Sequence, residues 1–433
     1  MSTEEKMNID ERYKYLRVMK KRYIKADRKM KGELLEEMET VTGLHHKSLI
    51  RLMNSPLRRQ SRRRERETTY KADVTQALWV IYESLDYICA ERLTPNLVWM
   101  AHHLERQGEL RTTPELLEQL GQISVSTVGR RLQRIRELIP RVRLPRKKPN
   151  GRKLTRDIPM LRLPWTITEP GYSEADLVHH CGPTAAGHYM CTLQMIDVAI
   201  GWSERVAVLG RSFLVMEDAF RRILARLPFP LLEIHPDNGS EFFNHHLLRF
   251  WGEIVQGVTI SRSRPYHKND NPRVEQKNST LVRAYLGYER LDTVAQVIAT
   301  NRLYDKMWLY YNLFQPVMIL SQKEVIREDD KPARVKRRYD DARTPFDRLC
   351  QTQAILPEHR QQLEVLRDSI NPRALRQEIY NDIDRIVALP GATPGTSENV
   401  HFTLLKNLEP GGDLPLNLTF NRTPIVEPDS NSA

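Results

Sequence analysis

The sequence predicts a multidomain protein: an all-α N-terminal third, a central α/β domain with a mixed sheet, and a C-terminal third with helices and a tail. Three observations support this prediction. The chain has 433 residues, which exceeds one ordinary domain. Apolar residues follow a helical period up to about residue 140, and β-branched and aromatic runs dominate after 170. Between them lies a basic, Pro-rich stretch at 141–169, typical of an extended linker.

The composition favours a cytoplasmic protein. Hydrophobic residues make up 40% of the chain, enough for several cores, but no apolar run approaches the ~20 residues that a membrane-spanning helix needs. The charged N-terminal segment lacks the apolar centre of a secretory signal. Four cysteines, none of them paired as C-x-x-C, are typical of a reducing compartment. We therefore expect no membrane partner.

The positive charge is concentrated at one end of the chain. Lys and Arg exceed Asp and Glu by 12 in the whole sequence, and residues 1–150 carry all of this excess. A basic surface is often no more than a solvated face, yet an excess confined to one region favours binding to a polyanion. We therefore expect the first third to bind nucleic acid.

Residues 1–69 are predicted to form a helix-turn-helix domain with an arginine-rich arm. Two helical apolar patterns flank Gly43, and the second helix carries Lys47 and Arg51, which are expected to contact DNA. The arm that follows is suited to phosphate contacts or to the minor groove. Its predicted DNA-binding residues are Arg58, Arg59, Arg62, Arg63 and Arg64.

Residues 70–140 repeat this layout as a second helix-turn-helix domain. We expect the turn at Gly121, with Ser124 or Ser126 capping the second helix. The basic residues of that helix predicted to bind DNA are Arg130, Arg131 and Arg134. One such pattern is common in small α-hairpins, whereas two in series favour a bipartite DNA-binding region. The linker at 141–169, with Lys147 and Lys148, is expected to lie along DNA.

Residues 170–315 are predicted to form the α/β domain, and three carboxylates within it point to metal chemistry. Asp176 lies on its first strand, Asp237 at the end of the fourth, and Glu275 in the first turn of the helix after the fifth, with 60 and 37 residues between them. Singly, each has a structural explanation as a turn cap or as a favourable charge at a helix start. Jointly, they are the oxygen ligands that a pair of divalent cations requires.

Three blocks of this domain carry a resemblance to a known family: MIDVAIGWSERVAV, HPDNGSEFFNHHLLRF and SRSRPYHKNDNPRVEQKN. They resemble the integrase catalytic core of bacterial insertion-sequence DDE transposases, a group that is related to retroviral integrases and has an RNase H-like fold. The resemblance implies Asp176, Asp237 and Glu275 as catalytic metal ligands, holding two Mg²⁺ ions per active site with Mn²⁺ as a substitute. It also supports Asn238 as a phosphate-approaching turn residue, and Lys277 and Arg283 on the Glu275 helix are further candidate DNA contacts.

Two positions depart from the family pattern. Pro272 stands where the family usually has a small residue, and the surroundings of Asp176 match less well than those of the other two carboxylates. Asp197 is therefore an alternative to Asp176, although the family has a non-ligand Asp at the corresponding strand end. Glu174 shares a sheet face with Asp176, so it either supports the site or is the solvated start of a strand.

Residues 316–385 resemble the small β-rich, DNA-contacting module that follows the core in related transposases, and 386–433 are predicted to be an irregular tail. Together with the charge distribution, the resemblance implies a transposase that would bind the terminal inverted repeats of its element, cleave DNA and join 3′-OH ends to target DNA. Such an enzyme would work as a homo-oligomer assembled on DNA, in the bacterial cytoplasm with the nucleoid. The alternatives are an RNase H-like nuclease, and a helix-turn-helix regulator with an inactive core.

Overall fold

The computed structural model describes residues 7–57, 70–136, 167–237, 242–262, 271–326, 334–396, 398–405 and 418–426. These residues fall into two compact units, Met1–Thr69 and Tyr70–Ala433. None of the helices in the described ranges combines the length and the apolar character that crossing a bilayer requires. The boundaries that the sequence suggests between smaller domains remain predictions.

The first unit is a three-helix arrangement around an apolar core. Its helices are α1 (Ile9–Lys25), α2 (Arg28–Thr42) and α3 (His46–Asn54). Gly43 ends α2 in the left-handed region at φ 65°, where a residue without Cβ is unstrained, so the turn lies where the sequence predicts it. The core consists of Leu16, Met19, Leu34, Leu35, Met38, Leu49 and Met53.

The second unit begins with helices α4 (Ala72–Ser84), α5 (Ala90–Leu93), α6 (Leu97–Arg106), α7 (Pro114–Gln122) and α8 (Val125–Arg136). The turn between α7 and α8 differs in position from the prediction. Gly121 is part of α7, and the chain turns at Ile123 and Ser124 instead. The Ser124 hydroxyl accepts the backbone N–H of Thr127 at 3.3 Å, and Ile123 is buried, so a cap and an apolar anchor set the turn without a glycine.

The centre of the second unit is a five-stranded mixed sheet in the order β3-β2-β1-β4-β5. The strands are β1 (Tyr172–His179), β2 (Met190–Asp197), β3 (Ser203–Leu209), β4 (Glu233–Pro236) and β5 (Thr259–Ile260). The first three pair antiparallel, whereas β1–β4 and β4–β5 pair parallel. The mixed sheet is confirmed, and it is consistent with an RNase H-like core.

Helices cover the sheet. They are α9 (Phe213–Arg226), α10 (His245–Arg249), α11 (Pro272–Lys277), α12 (Ala284–Leu286) and α13 (Val294–Leu309). A π-helical stretch at Asn278–Arg283 joins α11 to α12, and another at Tyr310–Phe314 extends α13. Every residue of β2 and β3 is buried, which explains why both strands read as nearly continuous apolar runs.

Two asparagines cover the edge of β3 that faces away from β2. The Asn301 amide exchanges two hydrogen bonds with the backbone of Ala207, at 2.8 and 2.9 Å. Asn312 does the same with the backbone of Ser203, at 2.9 and 3.1 Å. An uncovered strand edge would leave buried N–H and C=O groups without partners, so these side chains take the place of a sixth strand.

The C-terminal part contains a two-stranded ribbon and three helices. The ribbon pairs β6 (Leu320–Ile326) with β7 (Arg334–Tyr339), and α14 (Pro345–Leu349), α15 (Pro357–Ser369) and α16 (Pro372–Ala388) follow. Arg373 at the start of α16 forms ion pairs with Glu83 at 2.6 Å and Glu109 at 2.9 Å. His103 of α6 is fully buried, with Nε2 2.8 Å from the carbonyl oxygen of Ile370. Helices α4 to α8 therefore belong to one compact body with the sheet.

Candidate active site and nucleic-acid interface

The parallel pairing of β1 and β4 places two of the predicted carboxylates side by side. Ala175 lies opposite Pro236 in this register, so Asp176 and Asp237 are the next residues along the two strands. Asp237 directly follows β4, and its backbone N–H donates to the carbonyl of Ala175 at 3.3 Å. Both side chains are half-buried. The carboxyl ends of parallel strands are where open α/β sheets bind ligands.

The helical segment that begins with α11 reaches Asp176 through Asn278. The Asn278 amide donates to one carboxylate oxygen of Asp176 at 2.6 Å, and the other oxygen accepts the backbone N–H of Leu177 at 2.8 Å. Asn278 lies three residues after Glu275, so the two side chains emerge from the same side of the helix. The sequence motifs do not single out Asn278. Its spacing from Glu275 was the available signal.

Glu275 lies in the first turn of α11 and is exposed. Pro272 stands at the start of this helix, where the fixed φ of proline is compatible with helical backbone. The departure from the family pattern at this position is therefore accommodated locally. Val274, the preceding residue, is buried and anchors this turn, whereas the Glu275 side chain remains accessible.

Glu174 is a buried neighbour of this site and not the solvated start of a strand. One of its carboxylate oxygens accepts the backbone N–H groups of Arg273 and Val274, each at 2.9 Å. The other lies 3.4 Å from the Arg273 guanidinium. Burial raises the pKa of Glu174, and the helix backbone donors together with the Arg273 charge oppose that rise.

Asp197, the alternative to Asp176, has a structural role in this fold. It ends β2 opposite Ser173, and its carboxylate accepts the backbone N–H groups of Gly171 at 2.7 Å and of Ala199 and Ile200 at 2.9 Å. Burial raises its pKa to about 6 against these donors. The Asp197 carboxylate therefore closes the turn after β2. Its partner on β1 is Ser173, which lies three residues before Asp176, so Asp197 and Asp176 are not at the same level of the sheet.

The carboxylate oxygens of Asp176 and Asp237 are the type of ligand that a hard divalent cation such as Mg²⁺ prefers. Asp176 and Asp237 present carboxylate oxygens from adjacent strands, and the helix carrying Glu275 is bonded to Asp176. Within the described ranges, no three His, Cys, Asp or Glu side chains are close enough together to hold one metal ion. The structure thus brings two of the carboxylates into adjacent positions and does not close a three-ligand cage.

Lys277 and Arg283, the predicted DNA contacts on this helical segment, are both partly buried. Burial lowers the pKa of Lys277 to about 7, and the positive charges of Arg92 and Arg205 contribute. Arg283 donates to the carbonyl oxygen of His179 at 2.6 Å, and its guanidinium packs over the ring of Tyr288. Arg283 is therefore engaged with the fold, and the DNA-contact role of both residues stays a prediction.

In the first unit, the predicted contacts Lys47 and Arg51 are exposed on α3. Leu49 and Met53 of the same helix are buried, so α3 presents one apolar face to its own unit and one polar face to solvent. His45 caps this helix, with its Nδ1 accepting the backbone N–H of Lys47 at 3.2 Å. The exposed basic face is compatible with a recognition helix.

On α8, the three predicted arginines differ in their surroundings. Arg130 and Arg134 are exposed. Arg131 donates to the carbonyl oxygen of Tyr70 at 2.6 Å and to the Thr75 hydroxyl, which ties α8 to the start of α4. Two of the three therefore remain available to a phosphate backbone.

The remaining predicted contacts lie outside the described residues. They are Arg58, Arg59, Arg62, Arg63, Arg64, Lys147, Lys148 and Asn238. The ribbon adds basic side chains that are described and exposed, namely Lys336, Arg337 and Arg338 on β7.

Solved structures similar to this chain are retroviral integrase catalytic cores. The BIV integrase core is 19% identical, with 27% of this chain and 68% of that chain covered and a TM-score of 0.21. The HTLV-2 integrase core in complex with magnesium is 15% identical, with 34% and 90% covered and a TM-score of 0.26. The simian T-cell lymphotropic virus intasome, in complex with a PP2A regulatory subunit, is 14% identical, with 43% and 59% covered and a TM-score of 0.24.

No protein-family model matches the chain. Among curated proteins, it is 35% identical over 328 residues to the uncharacterized protein y4rM of Sinorhizobium fredii (strain NBRC 101917 / NGR234). The alignment covers 76% of this chain and 91% of y4rM, so it extends well beyond a single domain. The chain therefore belongs to the same protein family as y4rM of Sinorhizobium fredii.

Proposed function

We propose that the chain is a DNA transposase of the DDE type, as in bacterial insertion sequences. It binds the terminal inverted repeats of its element, cleaves DNA and joins the 3′-OH ends to target DNA. The observation that carries the proposal is the adjacent placement of Asp176 and Asp237 on parallel strands, with the Glu275 helix bonded to Asp176 through Asn278. Two carboxylates from adjacent strands, with a third on the helix that is bonded to one of them, would suit phosphoryl transfer assisted by metal ions.

In this proposal Asp176, Asp237 and Glu275 hold two Mg²⁺ ions, with Mn²⁺ as a substitute. When bound there, the ions supply activation of the attacking water or 3′-OH and stabilisation of the leaving 3′-oxygen. The protein's own contribution is orientation. Asn278 fixes one oxygen of Asp176, which lies on the strand next to the one that Asp237 follows.

The DNA is proposed to bind along the basic faces of the two helical regions. The exposed side chains of Lys47, Arg51, Arg130 and Arg134 are the described candidates. The arginine-rich arm and the basic linker, which lie outside the described residues, would add phosphate contacts.

We propose further that the active form is a homo-oligomer assembled on DNA in the bacterial nucleoid, because pairing two element ends before cleavage prevents unproductive single-end cuts.

A transposition assay tests the proposal. The DNA on either side of the gene is searched for terminal inverted repeats, and a donor plasmid carrying these repeats around a marker is combined with the full chain. We expect the marker to appear in target DNA, dependent on Mg²⁺ or Mn²⁺. If no joining occurs while an RNA–DNA hybrid is cut, the nuclease alternative is favoured. Specific binding without any cleavage would favour a regulator.

The basic faces also predict a salt dependence of DNA binding. Replacing Arg130 and Arg134 together by Ala in the full chain should reduce the slope of log affinity against log salt by about 2, because each phosphate contact contributes about 0.9. Titration of a labelled element end by fluorescence anisotropy, between low and physiological salt, measures this slope.

The matched control is Arg385→Ala. This arginine lies on α16 with its side chain 75% exposed, in a helix that the proposal does not place on DNA. Its replacement should leave the slope unchanged. Equal slopes for the wild-type protein and the Arg130/Arg134 variant would remove α8 from the proposed interface.

A further inference from the structure

The first turn of α11 is capped from a neighbouring strand. The first N–H groups of any helix lack partners within the helix, and the residue preceding it usually supplies them. Asn271 stands at that position, but its side chain makes no cap hydrogen bond. Instead, Glu174 of β1 accepts the N–H groups of Arg273 and Val274, each at 2.9 Å. A fully buried carboxylate thus replaces the local cap.

This cap is one of two polar links from β1 to the same helical segment. Glu174 binds the backbone immediately before Glu275, and Asp176, two residues along the strand, binds Asn278 three residues after it. Glu174 and Asp176 lie on the same face of β1, since side chains alternate along a strand. The two links therefore bracket Glu275 from both sides.

The apolar anchors of this helical segment lie mostly beyond Glu275. Val274 is the buried residue of α11, and Leu281, Val282 and Leu286 are buried further along the segment. At the start of α11, the carboxylate of Glu174 accepts two adjacent backbone N–H groups and so fixes the direction of the first turn.

We propose that Glu174 is a positioning residue, which orients α11 so that the Glu275 carboxylate faces Asp176 and Asp237. The inference rests on the proposed transposase function and deepens it. Glu174 itself points at the helix backbone and takes no part in binding DNA. Its loss should lower the rate of joining by roughly 10–100-fold, as is usual for residues that orient metal ligands, and leave the affinity for element ends unchanged.

The test compares three variants of the full chain. Glu174→Ala removes both hydrogen bonds, and Glu174→Gln keeps the shape but presents a single acceptor oxygen. The matched control is Glu204→Gln, because Glu204 is also a buried carboxylate of this sheet but bonds Trp202, Trp308 and Arg226 instead of α11. Hydrogen–deuterium exchange of each protein is measured together with its joining rate and DNA affinity.

We expect the amides of Arg273 and Val274 to exchange at least about tenfold faster in Glu174→Ala, with a smaller effect in Glu174→Gln, while the sheet stays protected. Joining should fall in the same order. In Glu204→Gln these two amides should exchange as in the wild-type protein.

Unchanged exchange at the two amides would overturn the proposal, as would faster local exchange with an unaltered joining rate. Faster exchange across the whole sheet in Glu174→Gln would assign the residue to fold stability and would also overturn it. A wild-type chain that joins no DNA would count against the transposase function instead. In that case the exchange of the two amides would still decide whether Glu174 holds α11.

Discussion

Replacing Asp237 or Glu275 by Ala should lower DNA cleavage and joining on the order of a thousandfold or more, while binding to element ends remains nearly intact. Asp237 follows β4 next to Asp176, and Glu275 lies in the first turn of the helix that Asn278 links to Asp176. Each change removes a carboxylate that the proposed metal chemistry requires. The exposed cations of α3 and α8 are unaffected, so DNA affinity should persist. A plasmid transposition assay and a gel-shift assay measure the two properties.

Glu253→Ala is the control for this experiment. Glu253 is an exposed acidic residue of the same domain that pairs with Arg249 on the surface, and its loss should leave joining unchanged. If either the Asp237 or the Glu275 variant still joined DNA at the wild-type rate, that residue would not belong to the active site.

Replacing Arg226 by Met should lower the free energy of unfolding by about 3–5 kcal/mol. The Arg226 guanidinium lies between two buried carboxylates, 2.8 Å from Glu204 and 2.8 Å from Asp305. The side chains of Glu204 and Asp305 are less than a tenth exposed, so the variant would leave two buried carboxylates without the arginine that they both bond. Chemical denaturation, followed by tryptophan fluorescence, measures the loss.

The loss should also depend on pH. Burial raises the pKa of Asp305 to about 6 while Arg226 opposes the rise, so removing Arg226 should raise this pKa further. A carboxyl group with a raised pKa in the folded state favours folding when it is protonated. The deficit of Arg226→Met should therefore shrink as the pH falls from 8 to 5.

The control for this prediction is Arg249→Met, which breaks the exposed pair with Glu253. Both side chains are more than 60% exposed, and such pairs contribute about 0–1 kcal/mol. A similar loss of stability in both variants would show that burial of the Arg226 cluster contributes nothing beyond a surface pair.

The order of helices and strands in the central domain could be read from the sequence. Apolar runs identify β2 and β3 because both strands are buried on both faces, and helical spacing identifies α9 and α13. Asp237 and Glu275 could be placed at a strand end and in a helix start because each position depends on local pattern alone. The turn at Gly43 was predictable for the same reason, since glycine readily adopts the left-handed backbone.

Contacts between residues far apart in the chain could not be predicted in this way. Arg130 and Arg131 are neighbours in a basic helix, yet one is exposed and the other bonds Tyr70, because successive residues of a helix differ in direction by about 100°. Gly121 suggested a turn, but Ile123 and Ser124 form it, because burial of one and capping by the other set the helix end.

The sequence by itself determined which residues carry the candidate chemistry, since carboxylates at strand and helix ends are a local pattern. The tertiary structure decided how they are held. Asp176 lies beside Asp237 because β1 and β4 pair parallel in one register, and a shift of one residue would turn Asp237 to the other face. Glu174 and Asn278 gained their roles from contacts that span about a hundred residues. Such contacts depend on how the strand and the helix pack together. Spacing can relate Asn278 to Glu275, but it cannot show that Asn278 bonds Asp176.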